Sequence, residues 1–278
     1  MNDSSAKVFL TGASSGIGKA IAETLVGEGY SVWGTSRNVE KLKALSGLYP
    51  VGMHLEDPDS VNAAWECALA EAGGFDIVIQ NAGAGLFGPI EEISEEDSQW
   101  LWRVTVEGPL QILKLASAHM RPRGKGTIVG LSSLAAELPM CFSAHYSAGK
   151  AALSVLLAGL WMELKPFGVS VLEIRPGDIQ TSFNAGLRKC DPEGSPYGKW
   201  LHPAWKATQE MLDGAPPPEL IAKVVLRRLK EKNPPLLTRE GSFYQAVIGP
   251  LGPVFLSRKA LLQRIRSAYG LNRVDHGG

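Results

Sequence analysis

KVFLTGASSGIGKA, residues 7–20, passes from four residues of strand character through a glycine-bearing turn into a helical pattern. Val8, Phe9 and Leu10 suit a short buried strand, while Ile17, Ile21, Leu25 and Val26 fall close to one face of a helix over 16–28. Gly12, Gly16 and Gly18 leave no side chain between the backbone and anything lying against the turn. The helix start beyond them offers unpaired N–H groups and the positive end of the helix dipole. A strand–turn–helix of this kind makes a cradle for a pyrophosphate, with Ser14, Ser15 and Ile17 as its other residues.

Outward from this unit the same alternation repeats. Strands are expected at 7–10, 30–36, 51–55, 75–83, 126–133 and 169–177, with a seventh, edge strand at 236–238. Helices are expected at 16–28, 39–46, 58–72, 94–120 with an interruption near Gly108-Pro109, 146–165 and 219–232. The helix over 146–165 is apolar nearly all round and therefore reads as buried. Near-continuous apolar strands alternating with helices argue for an α/β fold, a parallel sheet covered on both faces. No repeat or linker divides the chain, so residues 1–278 read as one catalytic domain, with a substrate lid over 181–217 and a C-terminal extension over 243–278.

Composition narrows the classes. The 278 residues are 45% hydrophobic and 20% charged, and 28 Lys+Arg balance 28 Asp+Glu. A neutral chain without a basic block gives no reason to expect nucleic acid. Cys67, Cys141 and Cys190 are scattered and odd in number, which fits a reducing compartment, and the histidines show no metal-ligand spacing. The N-terminus lacks the apolar stretch of roughly 7–15 residues that a secretory signal needs. No stretch reads as the roughly 18 apolar residues of a membrane span. The expectation is a cytoplasmic protein without metal.

Two local features carry chemistry. HYSAGKAA, residues 145–152, sets Tyr146 four positions before Lys150, so on a helix the phenol and the ammonium share a face. A free tyrosine titrates near pH 10, and a neighbouring cation lowers that value toward a useful range for proton transfer. The small residues Ser147, Ala148 and Gly149 let other groups approach that face. The second strand ends in GTSRN, where an NAD-selective site usually has an acid. Ser36 leaves room for a 2′-phosphate and Arg37 offers it a charged fork, favouring NADP(H).

TGASSGIG at 11–18, NAG at 81–83, a serine ahead of YxxxK and RPG at 175–177, in that order, resemble the short-chain dehydrogenase/reductase family over about residues 6 to 182. The resemblance implies a Rossmann-like doubly wound sheet of about seven strands and an oxidoreductase moving a hydride between nicotinamide and a carbonyl or alcohol. It implies that Tyr146 is the acid or base, that Lys150 binds the nicotinamide ribose and lowers the tyrosine pKa, and that Ser133 holds the substrate oxygen, with Ser132 as the competing choice. Asn81, Ala82 and Gly83 would line the adenine-ribose side, and Pro176, Gly177, Ile179 and Thr181 the nicotinamide side. A homodimer or homotetramer packed through the long helices would follow.

Two positions depart from the family pattern. Thr105, in VTVEG, stands where the family often has the asparagine that helps hold a relay water; either its hydroxyl or carbonyl serves instead, or the relay is impaired. His54, followed by Leu55, stands where an acid often binds the adenine amino group. Phe183, Trp200, Trp205, Met211, Leu138, Met140 and Phe142 are candidates for an apolar pocket; the pattern TSRN with an apolar tail is similar to family members acting on retinoids, steroids and other lipophilic alcohols or carbonyls. Lid-core packing explains the lid aromatics as well. The alternative reading is an NADP-binding sensor or scaffold with little turnover. The apolar tail at 246–256 fits packing on the domain or on a second subunit better than a membrane surface, because glycines and prolines break it.

Overall fold

In the computed structural model, which describes residues 6–43, 46–181, 183, 186–242, 252 and 254–272, β1 (Lys7–Leu10) lies near the middle of a seven-stranded sheet. The strand order is β3 (Leu48–Gly52), β2 (Ser31–Ser36), β1, β4 (Ile77–Gln80), β6 (Gly126–Leu131), β7 (Val169–Pro176), β9 (Leu237–Glu240). Every neighbouring pair is parallel. The doubly wound parallel sheet read from the sequence is therefore the observed architecture. Its winding reverses between β1 and β4, and in open sheets of this kind a crevice forms there beyond the carboxyl ends of the strands.

Successive residues of β1 serve opposite faces. Val8 and Leu10 pack with Ile21 and Leu25 of α1 (Gly16–Gly27) and with Val224 and Val225 of α8 (Glu219–Lys230). Phe9 packs on the other face with Trp65 of α3 (Pro58–Ala72), Phe75 and Ile112 of α5 (Gly108–Met120). Phe9 meets Trp65 edge-on with ring centroids 5.1 Å apart. Phe9 and Leu10 are both fully buried, and burial of a side chain of this size stabilises by about 1.5–3 kcal/mol.

The differences from the expected elements have local causes. β3 spans Leu48–Gly52, three residues earlier than expected at its start. It contains Pro50, tolerated because β3 is an edge strand, and Tyr49 stacks on Trp33 with centroids 4.3 Å apart. The helix expected over 39–46 is a single turn, α2 (Glu40–Lys43), and residues 44 and 45 lie outside the described residues. The long helix expected over 94–120 divides into α4 (Glu95–Trp102), a wide π-type turn (Arg103–Glu107) and α5. Pro109 has no N–H to give to the carbonyl four residues back, and the Gly108 amide reaches to Arg103 O instead.

The long helix α6 (Ala144–Leu164) corrects an expectation. Leu153, Leu157 and Leu164 are in the core, but Val155 is 71% and Met162 65% exposed, so one apolar face is open rather than buried. The stretch Ala144–Phe167 is long and apolar enough by composition to cross a membrane, against the reading that no stretch is. Its leucines pack in the core with Val171 of β7, which accounts for that composition.

Candidate active site

The glycine turn is built by its neighbours. Gly12 and Gly16 have φ of +72° and +51°, a region that favours glycine. A Cβ on Gly18 would lie 2.1 Å from Gly12 O and 2.5 Å from Asn81 Nδ2. Thr11 is buried: its hydroxyl donates to Gln80 Oε1 at 2.9 Å and accepts from the amides of Asn81 and Ala82 at 3.0 and 2.9 Å. Asn81 Nδ2 donates to Thr11 O at 3.0 Å. The Gly12 amide donates to Thr35 Oγ1 at 3.2 Å. The end of β4 thus holds the turn after β1 open, in register with the start of α1.

At the end of β2, Ser36 is buried, donates to Ser14 Oγ at 2.9 Å and accepts from the Asn38 amide at 3.1 Å. Arg37 and Lys41 line the cavity there together. His54 does not line it. Its amide donates to Ser60 Oγ and its ring lies 3.7 Å from Glu56, at the surface, while Met53, Leu55 and Glu56 face the cavity.

The helix start of α6 brings the chemistry together. Lys150 is 6% exposed and its ammonium donates to Leu131 O at 2.9 Å. Burial pushes this ammonium down to about 8. Its nitrogen lies 5.9 Å from the Tyr146 ring centre. Ser133 lies beside the Tyr146 phenol, and its oxygen accepts from the Ala135 amide at 3.1 Å, which holds the side chain at the start of a short helical turn. Enclosure pushes the phenol up to about 12; the Ser133 hydroxyl beside it acts against that rise and the Asp178 carboxylate adds to it. Lys150 was expected to lower this value. Desolvation of the phenol dominates here, and Lys150 is itself weakened as a cation by burial.

The two serines differ in their partners. Ser132 is buried and donates to Glu173 Oε1 at 2.5 Å, inside a network with Ser154 and Arg175. Both serines line the cavity, and Ser133 is the one beside the phenol. Thr105 is buried outside the cavity lining, where its hydroxyl donates to Leu101 O at 2.7 Å. A Cβ on Gly149 would lie 2.3 Å from that hydroxyl, so this glycine lets the π-type turn reach the back of α6.

These groups share one cavity of about 840 Å³. Gly12, Ser14, Ser15, Gly16, Ile17, Gly18, Asn81, Ala82 and Gly83 line one end. Ser133, Tyr146, Lys150, Pro176, Gly177, Ile179 and Thr181 line the middle. The volume suits a dinucleotide and part of a substrate. Lys150 has three N–H donors and one carbonyl acceptor among the described residues, which leaves donors for a ribose diol. The residues present therefore fit a nicotinamide dinucleotide.

A family model described as short chain dehydrogenase matches residues 6–191. The chain belongs to the short-chain dehydrogenase family. It is 30% identical over 250 residues to the 3-ketodihydrosphingosine reductase of Bacteroides thetaiotaomicron, covering 86% of this chain and 89% of that one. It is 37% identical over 182 residues to the NADPH-dependent 1-acyldihydroxyacetone phosphate reductase of Schizosaccharomyces pombe, covering 64% of this chain and 61% of that one. A crystal structure of a short-chain dehydrogenase from Streptomyces avermitilis superposes with a TM-score of 0.81 at 29% identity, covering 97% of this chain and 99% of that one. This short-chain dehydrogenase is thus an NAD(P)H-dependent oxidoreductase acting on a small-molecule carbonyl or alcohol.

The far end of the cavity holds most of what sequence reasoning missed. Leu138, Met140, Phe183 and Met211 line it as expected, and Phe183 lies 5.7 Å from the Tyr146 ring. Trp200, Trp205 and Phe142 do not; they pack with Phe87, Leu201 and Tyr269 in a lid core that adjoins the cavity. Phe142 takes φ of +56° to do so. The lid is tied to the loop after β4 by two short strands, β5 (Leu86–Phe87) and β8 (Arg188–Lys189), and carries α7 (Gly198–Asp213). Asp178, Leu261, Ile265 and Tyr269 also line the cavity. The last three belong to α9 (Arg258–Ala268) and its C-terminal end. Of the apolar tail at 246–256, residues 246–251 and 253 lie outside the described residues; of the rest, Leu256 and Phe255 line the cavity, and Val254 and Phe255 are largely exposed rather than packed on the domain. Lys41, four residues after Arg37 and on α2, was a missed residue with a sequence signal.

Proposed function

We propose that this chain is an NADP(H)-dependent reductase of a lipophilic, chain-bearing ketone. The observation that carries the reading is Ser133, Tyr146 and Lys150 set together at the base of a cavity whose far walls are apolar, among them Leu138, Met140, Phe183, Met211, Leu256 and Ile265. The names of the Bacteroides and Schizosaccharomyces relatives, each a reductase of a ketone with a hydrocarbon or acyl chain, support the substrate class.

When bound, the dinucleotide supplies the hydride. Ser133 and Tyr146 both donate toward the carbonyl oxygen, which orients the carbonyl carbon for attack. Tyr146 gives up its proton as the oxygen becomes an alkoxide, so hydride on carbon and proton on oxygen together make the alcohol. A phenol held up to about 12 is protonated throughout the neutral range, which suits it to be an acid in the reductive direction. Lys150, charged below about 8, stabilises the phenolate left behind and binds the ribose. Thr105 spends its hydroxyl on Leu101 O, and Pro109 deprives its carbonyl of the usual donor four residues on. We assign the carbonyl, not the hydroxyl, to a relay water.

NADP(H) preference rests on Ser36, which brings no negative charge, and on the paired Arg37 and Lys41. The neutral chain, the free cysteines and the open face of α6 support a cytoplasmic homo-oligomer. The test is NADPH and NADH consumption with ketones of graded chain length. We expect turnover with NADPH to rise with chain length. Replacing Arg37 and Lys41 together by Ala lowers the NADPH-to-NADH ratio of kcat/KM at least about 10-fold, roughly 1.4 kcal/mol. NADPH binding without turnover of any carbonyl or alcohol would replace the reductase by the sensor.

A further inference from the structure

The mouth of the cavity has a surface the reaction does not use. Val254 and Phe255 are 71% and 78% exposed and Leu262 is 40% exposed, three large apolar side chains at the surface within nine residues. Phe255 also lines the cavity, which places this group at its opening. Scattered exposed apolar residues are ordinary, but a cluster at a cavity mouth is not. The helix α9 adds a second, independent feature. Its sequence RKALLQRIRSA holds four cations and no acid, in a chain whose formal net charge is zero.

The two faces of α9 are divided in use. Leu261, Arg264, Ile265 and Ala268, spaced three and four apart, line the cavity. Arg258, Lys259 and Leu262 are exposed on the outside. Arg266 is partly occupied, donating to Asn272 Oδ1 at 2.9 Å. The outer surface thus combines apolar side chains that sit at a headgroup boundary with cations that sit at headgroup phosphates.

We propose that Val254, Phe255, Leu262, Arg258 and Lys259 form a docking surface for an anionic phospholipid bilayer, which sets the cavity mouth against the lipid. This is adsorption at the surface, not a membrane span. Charge decides against a second copy: a two-fold contact through this helix would set its cations against themselves with no acid of α9 to answer them. The apolar trio decides against a nucleic acid, whose phosphates offer it nothing. The inference does not depend on which ketone is reduced.

The experiment is flotation of the full chain with vesicles of phosphatidylcholine alone and of phosphatidylcholine with 30% phosphatidylglycerol, in low salt and in 0.5 M salt. Two double variants test the two components: Arg258→Glu with Lys259→Glu, and Val254→Ser with Leu262→Ser. None of these four residues lines the cavity, and an unchanged thermal midpoint shows that each variant is folded. We expect the native chain to float with the anionic vesicles only, to lose at least 10-fold of its partitioning in high salt, and each double variant to lose as much in low salt. No flotation, flotation indifferent to lipid charge, or flotation unaffected by either variant overturns the proposal. So does a dimer in solution that the Glu variant dissociates, or retention on duplex DNA that the Ser variant leaves intact.

Discussion

Lys150 is a cation kept where a cation is disfavoured. Its ordinary value of 10.5 falls to about 8 through burial, which at pH 7 costs the folded state about 3 kcal/mol. Its hydrogen bond to Leu131 O returns about 1 kcal/mol. Lys150→Met should therefore abolish turnover yet raise stability by about 2 kcal/mol at pH 7, read as a higher denaturant midpoint. The sign follows from the depressed value. The penalty is fully present below pH 8 and is relieved between about 8 and 10.5, so the native chain should gain on the variant as pH rises through that window. A variant less stable than the native chain at pH 7 would remove this account.

The same two values shape the pH profile of the reaction. The Tyr146 phenol stays protonated up to about 12, whereas Lys150 loses its charge near 8. Ketone reduction should hold steady from pH 6 to 7.5 and fall through pH 8 to 9 in a kcat/KM profile. Tyr146→Phe should lose about 100- to 10,000-fold in kcat, with NADPH affinity little changed by titration calorimetry. At this scale the sequence was legible where spacing on a helix decides proximity. Ser133 and Ser132 were not separable by such an argument; Glu173, which captures Ser132, lies 41 residues away in the chain.

Among the elements, the contact between α6 and the π-type turn is set by one missing methyl group. A Cβ on Gly149 would come within 2.3 Å of Thr105 Oγ1 and 2.9 Å of Thr105 Cβ. Gly149→Ala should cost about 1–3 kcal/mol in denaturant unfolding and lower kcat by displacing Tyr146 and Lys150, which share that helix. Ala148→Ser, on the exposed side of α6, is the control and should change neither. The expected break at Gly108-Pro109 was legible because proline removes a donor. That the chain absorbs the break in a wider turn, instead of stopping, was not, since it depends on α6 packing alongside. The early start of β3 escaped for a related reason: Pro50 argues against a strand unless the strand is known to be at the edge.

Across the whole molecule, the open face of α6 is the surface we assign to self-association. Val155 and Met162, seven residues apart, stand on one side of that helix. Val155→Glu with Met162→Glu should convert the native oligomer to a monomer in light scattering while leaving the thermal midpoint within a few degrees. A native chain that is already monomeric would refute the assignment.

What the sequence determined by itself is what local physics determines. The alternation of apolar strands and helices implied the parallel sheet, the three glycines after β1 implied a phosphate cradle, and four-residue spacing put Tyr146 and Lys150 on one face. Each depends on residues within a turn or two of one another. What only the tertiary structure decided is the shape of the substrate end. Trp200 and Trp205 went to the lid core, and the C-terminal helix, separated from Tyr146 by more than a hundred residues, came to form a cavity wall. No periodicity in a segment states which distant surface it will cover. That is settled when the chain closes, by which apolar faces remain to be buried.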